Sequence, residues 1–592
     1  MKKFITLIIT LILSACAVLG GLAGCSRGED EDFDESKSHL YVGIYNAGYG
    51  DEYAKDLKSR FETFYEKESF EDGKQGVQVH LLDVPQGNAF IADIESSEVE
   101  VFFTSNSDYY QYVRRGFIMN IDDVVTGSLA KYGDNRTIES RFDKTINDFY
   151  KTDSGYYAIP YVNSYSGFAM NVDLFESKDL YFAKGGCPSE YLRTNPNCDA
   201  ALEFPEGITA WSDDLYEFTG VGEKSAGPDG KYGTADDGEP ATYEEFYAFC
   251  DNCYVSNVQA LTWPGKYDWT FSQPMIQMLA DFEGKEQFGL NYNFSGTAKT
   301  LVEVAEDGTV TKLPELEINN SNAYKLVQQE SKYRVLDFFA ELLSRSDYYD
   351  TKTNLGDANH THTDAQDDFV TGGILPDQKE IALLVDGEWW WNEAQPGFKV
   401  ADEWSDGEFT AANRKFKMLS FPKANNDKVG EPFTVLVDST SMCAINANVK
   451  EDFKIEMAKE FVKFAFTNES NLQFTKLTSC ARSCEYDFPE GYLDGLNFFA
   501  KSVIETNAAA EKCFVGSENP LFIYNSFDFF NTEHFWSSKV NKKVGNNYTV
   551  ETVDTPMTEL VRYDISAIEY FNGMQKFKSE SYWTDRYKDY ID

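Results

Sequence analysis

Between His39 and Ile121, short apolar runs alternate with segments of helical period, and that alternation constrains the fold more than any other feature of the chain. His39 to Tyr45 reads as an apolar strand. An acid-capped helix follows from Asp51, with Ala54, Leu57, Phe61 and Phe64 recurring at helical spacing. Val77 to Val84 and Val99 to Thr104 read as further strands, and Asp108 to Arg115 as a short helix before Gly116 to Ile121. Strand, helix, strand, with loops at the strand ends, predicts a parallel α/β sheet. Ligands of such sheets sit beyond the carboxyl ends of the strands. The residues there are Tyr45, Asn46 and Tyr49 after the first strand, and Ser105, Asn106, Asp108 and Tyr109 after the third.

The N-terminus sets an expected location. Lys2 and Lys3 precede an apolar run from Phe4 to Leu13, and Leu22-Ala23-Gly24-Cys25 closes it with small residues before a cysteine. The run is shorter than the roughly 20 residues of a membrane span, and its closing residues resemble the lipobox of bacterial lipoproteins. That resemblance implies removal of residues 1–24, diacylation of the Cys25 thiol, and a chain held by lipid to the outer face of the cell membrane; an ordinary secretory signal is the alternative. Residues 25–38, which include RGEDEDFDESKS, read as a solvated acidic tether.

Acidity continues throughout: 98 Asp and Glu oppose 53 Lys and Arg, a formal charge of -45. Nonspecific nucleic-acid binding is thereby excluded by repulsion. The chain nevertheless folds, because 36 Tyr and 46 Phe are far more buriable surface than a disordered acidic protein carries. Beyond Cys25 stand Cys187, Cys198, Cys250, Cys253, Cys443, Cys480, Cys484 and Cys513. An even number outside the membrane permits disulfides, with Cys187–Cys198 and Cys480–Cys484 the nearest pairs and the connectivity open. Cys250-Asp-Asn-Cys253 has redox-motif spacing but ends an amphipathic helix that begins at Thr242, so packing or a disulfide is expected there in preference to catalysis.

Asp153-Ser-Gly-Tyr-Tyr-Ala-Ile-Pro160-Tyr161, running into Gly167-Phe-Ala-Met-Asn171-Val-Asp-Leu-Phe175, resembles the G-K-x-Y-A-x-P-Y … Y-N-x-x-L-F segment of the extracellular solute-binding proteins, family 1, of carbohydrate ABC transporters. That group includes maltose-binding protein. Thr242-Tyr-Glu-Glu-Phe246 resembles its T-W-E-E-F helix start, and Thr242 with Glu245 has capping-box spacing. Ala365-Gln366-Asp-Asp-Phe369 and Ile381-Ala-Leu-Leu-Val-Asp-Gly387-Glu-Trp389 resemble the F-x-x-G-x-x-A-M-x-x-x-G-x-W segment. Phe416 to Ala424 resembles the strand leading into the late crossover, and Ser441 to Asn446 with the helix Lys454 to Phe466 the segment after it. The matches run in order from about residue 39 to 485. Cys480-Ala-Arg482-Ser-Cys484 departs from the G-x-x-P turn common at its position, and the chain is longer than compact members, mainly between 176 and 240 and after 485.

The resemblance implies a periplasmic-binding-protein-like α/β fold: two lobes joined by crossover hinge strands, a bilobal clamp that closes on a carbohydrate and is then recognised by the permease subunits of an ABC importer. The expected lobes are 39–158 with 433–480, and 162–430 with 485–592, the second carrying an insertion at 176–240. A monomer is expected, with no cofactor required. Sugars present apolar C–H faces and a ring of hydroxyls, so their sites need aromatic platforms and planar polar side chains. Tyr45, Tyr49, Tyr109, Tyr161, Tyr165, Trp389 and Trp390 are the aromatic candidates, with Asn46, Asn106, Asp108 and Asn163 as polar partners. In the family a tryptophan after the glycine stacks on sugar, which favours Trp389. Trp389 to Trp391 cannot all face one way on a regular element, so at least one belongs to the core.

Between Gly227 and Pro240 lies GPDGKYGTADDGEP, where carboxylates alternate with turn-permitting glycines. It resembles the D-G-x-x-G-T-x-D-D-G type of calcium loop and predicts a structural calcium held by Asp229, Asp236 and Asp237; a solvated acidic turn is the alternative. His360-Thr-His362 reads as a polar loop leading into the Asp364 helix. Two other function classes stay open. A glycoside hydrolase would need a pair of flanking carboxylates such as Asp386 and Glu388, and a surface glycan-capture lipoprotein would share the fold but need no transporter.

Overall fold

The computed structural model describes residues 33–591 except 86–88, 91–93, 95–96, 106–107, 186–215, 356–358, 438–439, 531 and 545–546. Cys25, Asn106, Cys187, Cys198 and most of the 176–240 insertion's first half lie outside the described residues. Two sheets organise the remainder. In the first, Ser38–Ile44 pairs in parallel with Val77–Asp83 on one side and Val101–Ser105 on the other. Thr440–Ile445 continues the sheet antiparallel to Val101–Ser105, and Ala158–Pro160 follows antiparallel to it. The sheet is therefore mixed, where the alternation in the first segment predicts a parallel one. Its late strand returns from the other lobe and enters from the opposite end.

Leu40, Val42, Val79, Val101 and Phe103 are almost wholly buried, as expected of strands covered on both faces. The helix Glu52–Phe64 buries Tyr53, Ala54, Leu57 and Phe61. Phe61 meets Phe461 edge to face at 5.0 Å, whereas Phe64, at the end of the stripe, is 41% exposed.

The second sheet has the order Gln259–Thr262, Ile381–Gly387, Ser166–Asn171, Phe416–Met418. Ile381–Gly387 runs parallel to Gln259–Thr262 and antiparallel to Ser166–Asn171. Tyr243–Val255 is the helix expected after Thr242, and the capping box forms in half. The Thr242 hydroxyl accepts from Glu245 N, but the Glu245 carboxylate accepts from Ala241 N at 2.7 Å. The helix Asp268–Asn293 kinks at Gly284 and ties down the strand Thr434–Val437: Gln277 exchanges two hydrogen bonds with the Leu436 backbone, and Asp281 accepts from Thr434 N and from buried Lys423.

Three stretches pass between the sheets. Residues 158–166 form the first and 418–440 the second. Ala481–Arg482 lies in the third and pairs antiparallel with Val162–Asn163 of the first. The Cys480-Ala-Arg482-Ser-Cys484 segment is thus a hinge strand, and its extended backbone carries the two cysteines apart. Both are free thiols, so the Cys480–Cys484 pairing that the sequence left open is not made; Cys250 and Cys253 are likewise free and buried, so packing is their role. Past the hinge the chain packs on both parts: Phe514 meets Phe149 at 5.1 Å and Gln111 Nε2 donates to Ile523 O at 3.0 Å, while later residues pack beside the second sheet. Phe499 stacks on Trp391 at 5.2 Å, Phe535 on Phe288 at 5.6 Å, and Trp583 Nε1 donates to Asn320 O at 2.7 Å. Among the described residues no helix is long and apolar enough to cross a membrane.

Candidate functional site

The carboxyl end of Ser38–Ile44 and that of Ile381–Gly387 face each other. After Ile44, Tyr45 N donates to Phe103 O at 2.9 Å, and Asn46 Oδ1 accepts from Gly48 N at 3.0 Å, folding residues 45–50 into a tight turn. Gly48 has φ +86, and a β-carbon there would come within 2.8 Å of Trp389 Cδ1 and 2.9 Å of Glu393 Oε1. The turn from one lobe therefore touches the wall of the other. Trp389 itself depends on Gly387: a β-carbon at residue 387 would overlap the indole ring. Glycine at that position lets the indole fold back over the strand end, which gives a physical reason for the glycine-x-tryptophan spacing.

Beside Trp389 is a cluster of acceptors bound by one amide. Gln366 Nε2 donates to Asp386 Oδ2 and to Glu393 Oε2, both at 2.8 Å, and Gly387 N donates to Asp386 Oδ1 at 2.7 Å. Burial pushes the Asp386 carboxyl up to about 7, with the neighbouring Glu393 charge acting in the same direction. Gln366 Oε1 is buried and has no protein partner. His362 Nε2 stands 3.9 Å from Glu393 Oε1. The helix His362–Thr371 presents these groups; its capping box of Thr361 and Asp364 is what the His360-Thr-His362 segment builds. Tyr45, half-buried, and Asn46, exposed, complete the rim. Below it the Tyr49 and Ser164 hydroxyls lie 2.6 Å apart, joining the turn to the first crossing stretch.

The turn that holds Tyr45 and Asn46 thus meets Trp389 through Gly48, and Tyr49 in the same turn bonds Ser164. Other candidates are not offered to a ligand. Trp390 is fully buried against Phe369, Phe416 and Phe499, so it is the core member of the tryptophan triplet. Tyr161 is 2% exposed and lies under the Arg482 guanidinium at 3.9 Å, a hinge packing residue. Tyr109 donates to Tyr150 O at 2.7 Å inside the first lobe, Asp108 bonds Ser526, and Tyr165 packs on Phe433. Asn163 is buried in the hinge strand. Asn106 falls outside the described residues. These corrections share one cause: a residue at a strand end can point outward to the cleft or back under the next helix, and local spacing does not distinguish the two. Gln366 and Glu393 escaped the sequence reading, although Gln366 sits in a motif segment quoted for the resemblance.

Asp386 and Glu388 do not form a catalytic pair. Asp386 turns to Gln366, whereas Glu388 is fully buried and accepts from Asn507 Nδ2 at 3.0 Å, its carboxyl pushed well up by burial. Two residues apart on a bending chain, they enter different surroundings and flank no common bond.

In the 227–240 loop, Thr234 Oγ1 reaches Asp236 Oδ1 at 2.8 Å, Asp237 Oδ1 at 3.3 Å and Asp229 Oδ1 at 3.4 Å. Backbone amides of Asp229, Lys231 and Gly233 donate to the same three carboxylates. The expected calcium ligands are engaged by the loop's own donors. Among the described residues no group of three or more His, Cys, Asp or Glu side chains is arranged to hold a metal ion.

No protein-family model matches the sequence, and no curated protein matches it. Solved structures do. Maltose-bound MalE3 of T. maritima superposes with a TM-score of 0.51 at 10% identity, over 91% of this chain and 99% of that one. The acarbose-binding GacH receptor of Streptomyces glaucescens gives 0.49 at 13% identity, over 94% and 100%. A chitin oligosaccharide binding protein gives 0.49 at 14%, over 92% and 99%. At such identities the likeness is one of fold, and the MalE3 superposition establishes that fold as periplasmic-binding-protein-like.

Proposed function

We propose that the chain is the lipid-anchored, extracellular substrate-binding component of an ABC importer, taking a carbohydrate, and by preference an oligosaccharide, in the cleft between its lobes. The observation that carries this reading is the wall formed by the Trp389 indole beside Asp386, Gln366 and Glu393, facing the Tyr45–Gly48 turn. An indole supplies a platform for the apolar face of a pyranose, and carboxylate and amide oxygens accept from its hydroxyls. MalE3, with the same fold, is a maltose complex, which supports the ligand class. Separation of the two walls admits the sugar, and their approach encloses it. Asp386 and Glu393 hydrogen-bond the sugar hydroxyls and transfer no proton.

Delivery to permease subunits, and anchoring through Cys25 on the outer face of the cell membrane, belong to the same proposal. The lipobox-like Leu22 to Cys25 supports the anchor, and the lobes proposed are 39–158 with 433–480, and 162–430 with 485–592. Calorimetric titration of residues 26–592 against an oligosaccharide panel, with chromatography of each ligand afterwards, tests the reading. Binding with the ligand recovered intact is expected. Cleavage of the ligand would replace the proposal with a hydrolase, and binding to polymer without short oligosaccharides would replace it with a glycan-capture protein.

A further inference from the structure

The hinge holds a buried cation that no protein group neutralises. Among the described residues, three arginines are 5% exposed or less: Arg141, Arg414 and Arg482. Arg141 pairs with Asp134 and Arg414 with Asp173. Arg482 uses only its Nε, which donates to Asn471 Oδ1 at 2.8 Å; Nη1 and Nη2 are buried without an acceptor. Its guanidinium lies 3.9 Å from the Tyr161 ring centre, 4.7 Å from Phe466 and 4.9 Å from Phe474. Those π faces offset part of the desolvation cost of the charge, but they accept none of the four terminal N–H groups in the guanidinium plane. A guanidinium does not shed its proton in a protein.

A small cavity of about 10 Å³ opens against it, walled by Tyr53, Asp56, Arg60, Tyr161, Ser470 and Arg482. Asp56 is committed to Arg60 Nε at 2.7 Å, and Arg60 Nη1 to Ser470 Oγ at 3.1 Å. That pair cancels, so one positive charge remains at the cavity. Tyr53 contributes a further donor: its buried hydroxyl makes no hydrogen bond of good geometry, its neighbour being the Tyr161 hydroxyl, and burial raises its pKa, keeping the proton on. Buried donors left unmatched are rare and costly, and an uncompensated buried charge more so. The volume suits one particle of about water size, too little for sulfate, phosphate or an organic acid. Water would accept from the donors but would leave the charge.

We propose that this cavity binds one monoatomic anion, chloride, held by Arg482 Nη1 and Nη2 and the Tyr53 hydroxyl. Ala481–Arg482 is the third crossing strand, and Tyr53 lies on the helix Glu52–Phe64 of the first lobe. The anion therefore pins the hinge strand to that helix.

Two measurements on residues 26–592 test the site. Crystals grown in sodium bromide are expected to show an anomalous peak in contact with the Arg482 terminal nitrogens and Tyr53 Oη. Thermal unfolding is expected several degrees higher in sodium chloride than in sodium gluconate at equal ionic strength. Tyr53→Phe keeps the ring and its packing, and is expected to lose most of that chloride increment. Bromide peaks confined to surface lysines, an adventitious ion only, would overturn the proposal. So would a water in the cavity with equal melting temperatures in the two salts, or an undiminished chloride increment in Tyr53→Phe.

Discussion

Gly48 and Trp389 meet across the cleft: a β-carbon at Gly48 would lie 2.8 Å from Trp389 Cδ1. The approach of the two walls at this point thus depends on a residue with no side chain. Gly48→Val is expected to hold the walls apart and weaken carbohydrate binding at least tenfold, about 1.4 kcal/mol. Calorimetry of the variant, with circular dichroism to check the fold, measures it; unchanged affinity would show that closure there is not part of binding.

Trp389→Ala is expected to cost at least tenfold in affinity, about 1.4 kcal/mol, because the indole is the aromatic surface at the mouth, whereas Trp390 lies in the core. The contrasting variant is Trp390→Ala, for which the loss falls on stability, about 3–5 kcal/mol for a fully buried aromatic. Titration and chemical denaturation of both variants separate the roles. The assignment fails if Trp389→Ala binds as the parent does.

Asp386 makes stability depend on pH in a stated direction. Its carboxyl is raised from 3.8 to about 7 by burial, so between those values the folded protein holds a proton that the unfolded chain has released. Its contribution therefore falls as pH rises through that window, and the penalty is complete above about 7. Asp386→Asn is expected to melt with the parent near pH 4 and several degrees above it at pH 8. Parallel melting curves across that range would contradict the assignment.

Lys332 gives the opposite slope. It is 1% exposed, donates to Leu326 O at 3.0 Å, and burial drives its amine from 10.5 to about 7. The unfolded chain holds the proton that the folded one gives up, so the penalty is full below about 7 and fades as pH rises toward 10.5. Lys332→Met is expected to be more stable than the parent by about 1–2 kcal/mol at pH 6, the gain disappearing toward pH 10. Urea denaturation at the two pH values checks it, and a gain independent of pH would be evidence against a buried charge.

The six described cysteines are free and buried, and burial raises the Cys443 thiol well above its ordinary value. Alkylation is expected at none of Cys250, Cys253, Cys443, Cys480, Cys484 and Cys513 in the native protein and at all six after unfolding. Peptide mapping reads each site separately. A disulfide-linked Cys480–Cys484 peptide would show that the hinge strand is less extended than the Ala481–Arg482 pairing requires.

The early strands and helices and their order are legible in local pattern, because helix period, strand alternation and caps act over a few residues. The strand near His39 to Tyr45 and the helix after Thr242 are where local pattern places them, whereas the helix read from Asp364 starts at His362, capped by Thr361. The sequence also pointed to Trp389, through a glycine spacing whose cause is the steric room the indole takes over Gly387. Which strand-end residues face the cleft depends on packing across the whole chain. Tyr161 and Trp390 have the same chemistry as Tyr45 and Trp389, yet one lies under Arg482 and the other among phenylalanines. The antiparallel strand Thr440–Ile445, the meeting of Gly48 with Trp389 and the unpaired guanidinium in the hinge all join residues hundreds of positions apart. Such contacts arise when two sheets are closed on each other by three crossing stretches, and no local periodicity encodes which side chain is then left facing water.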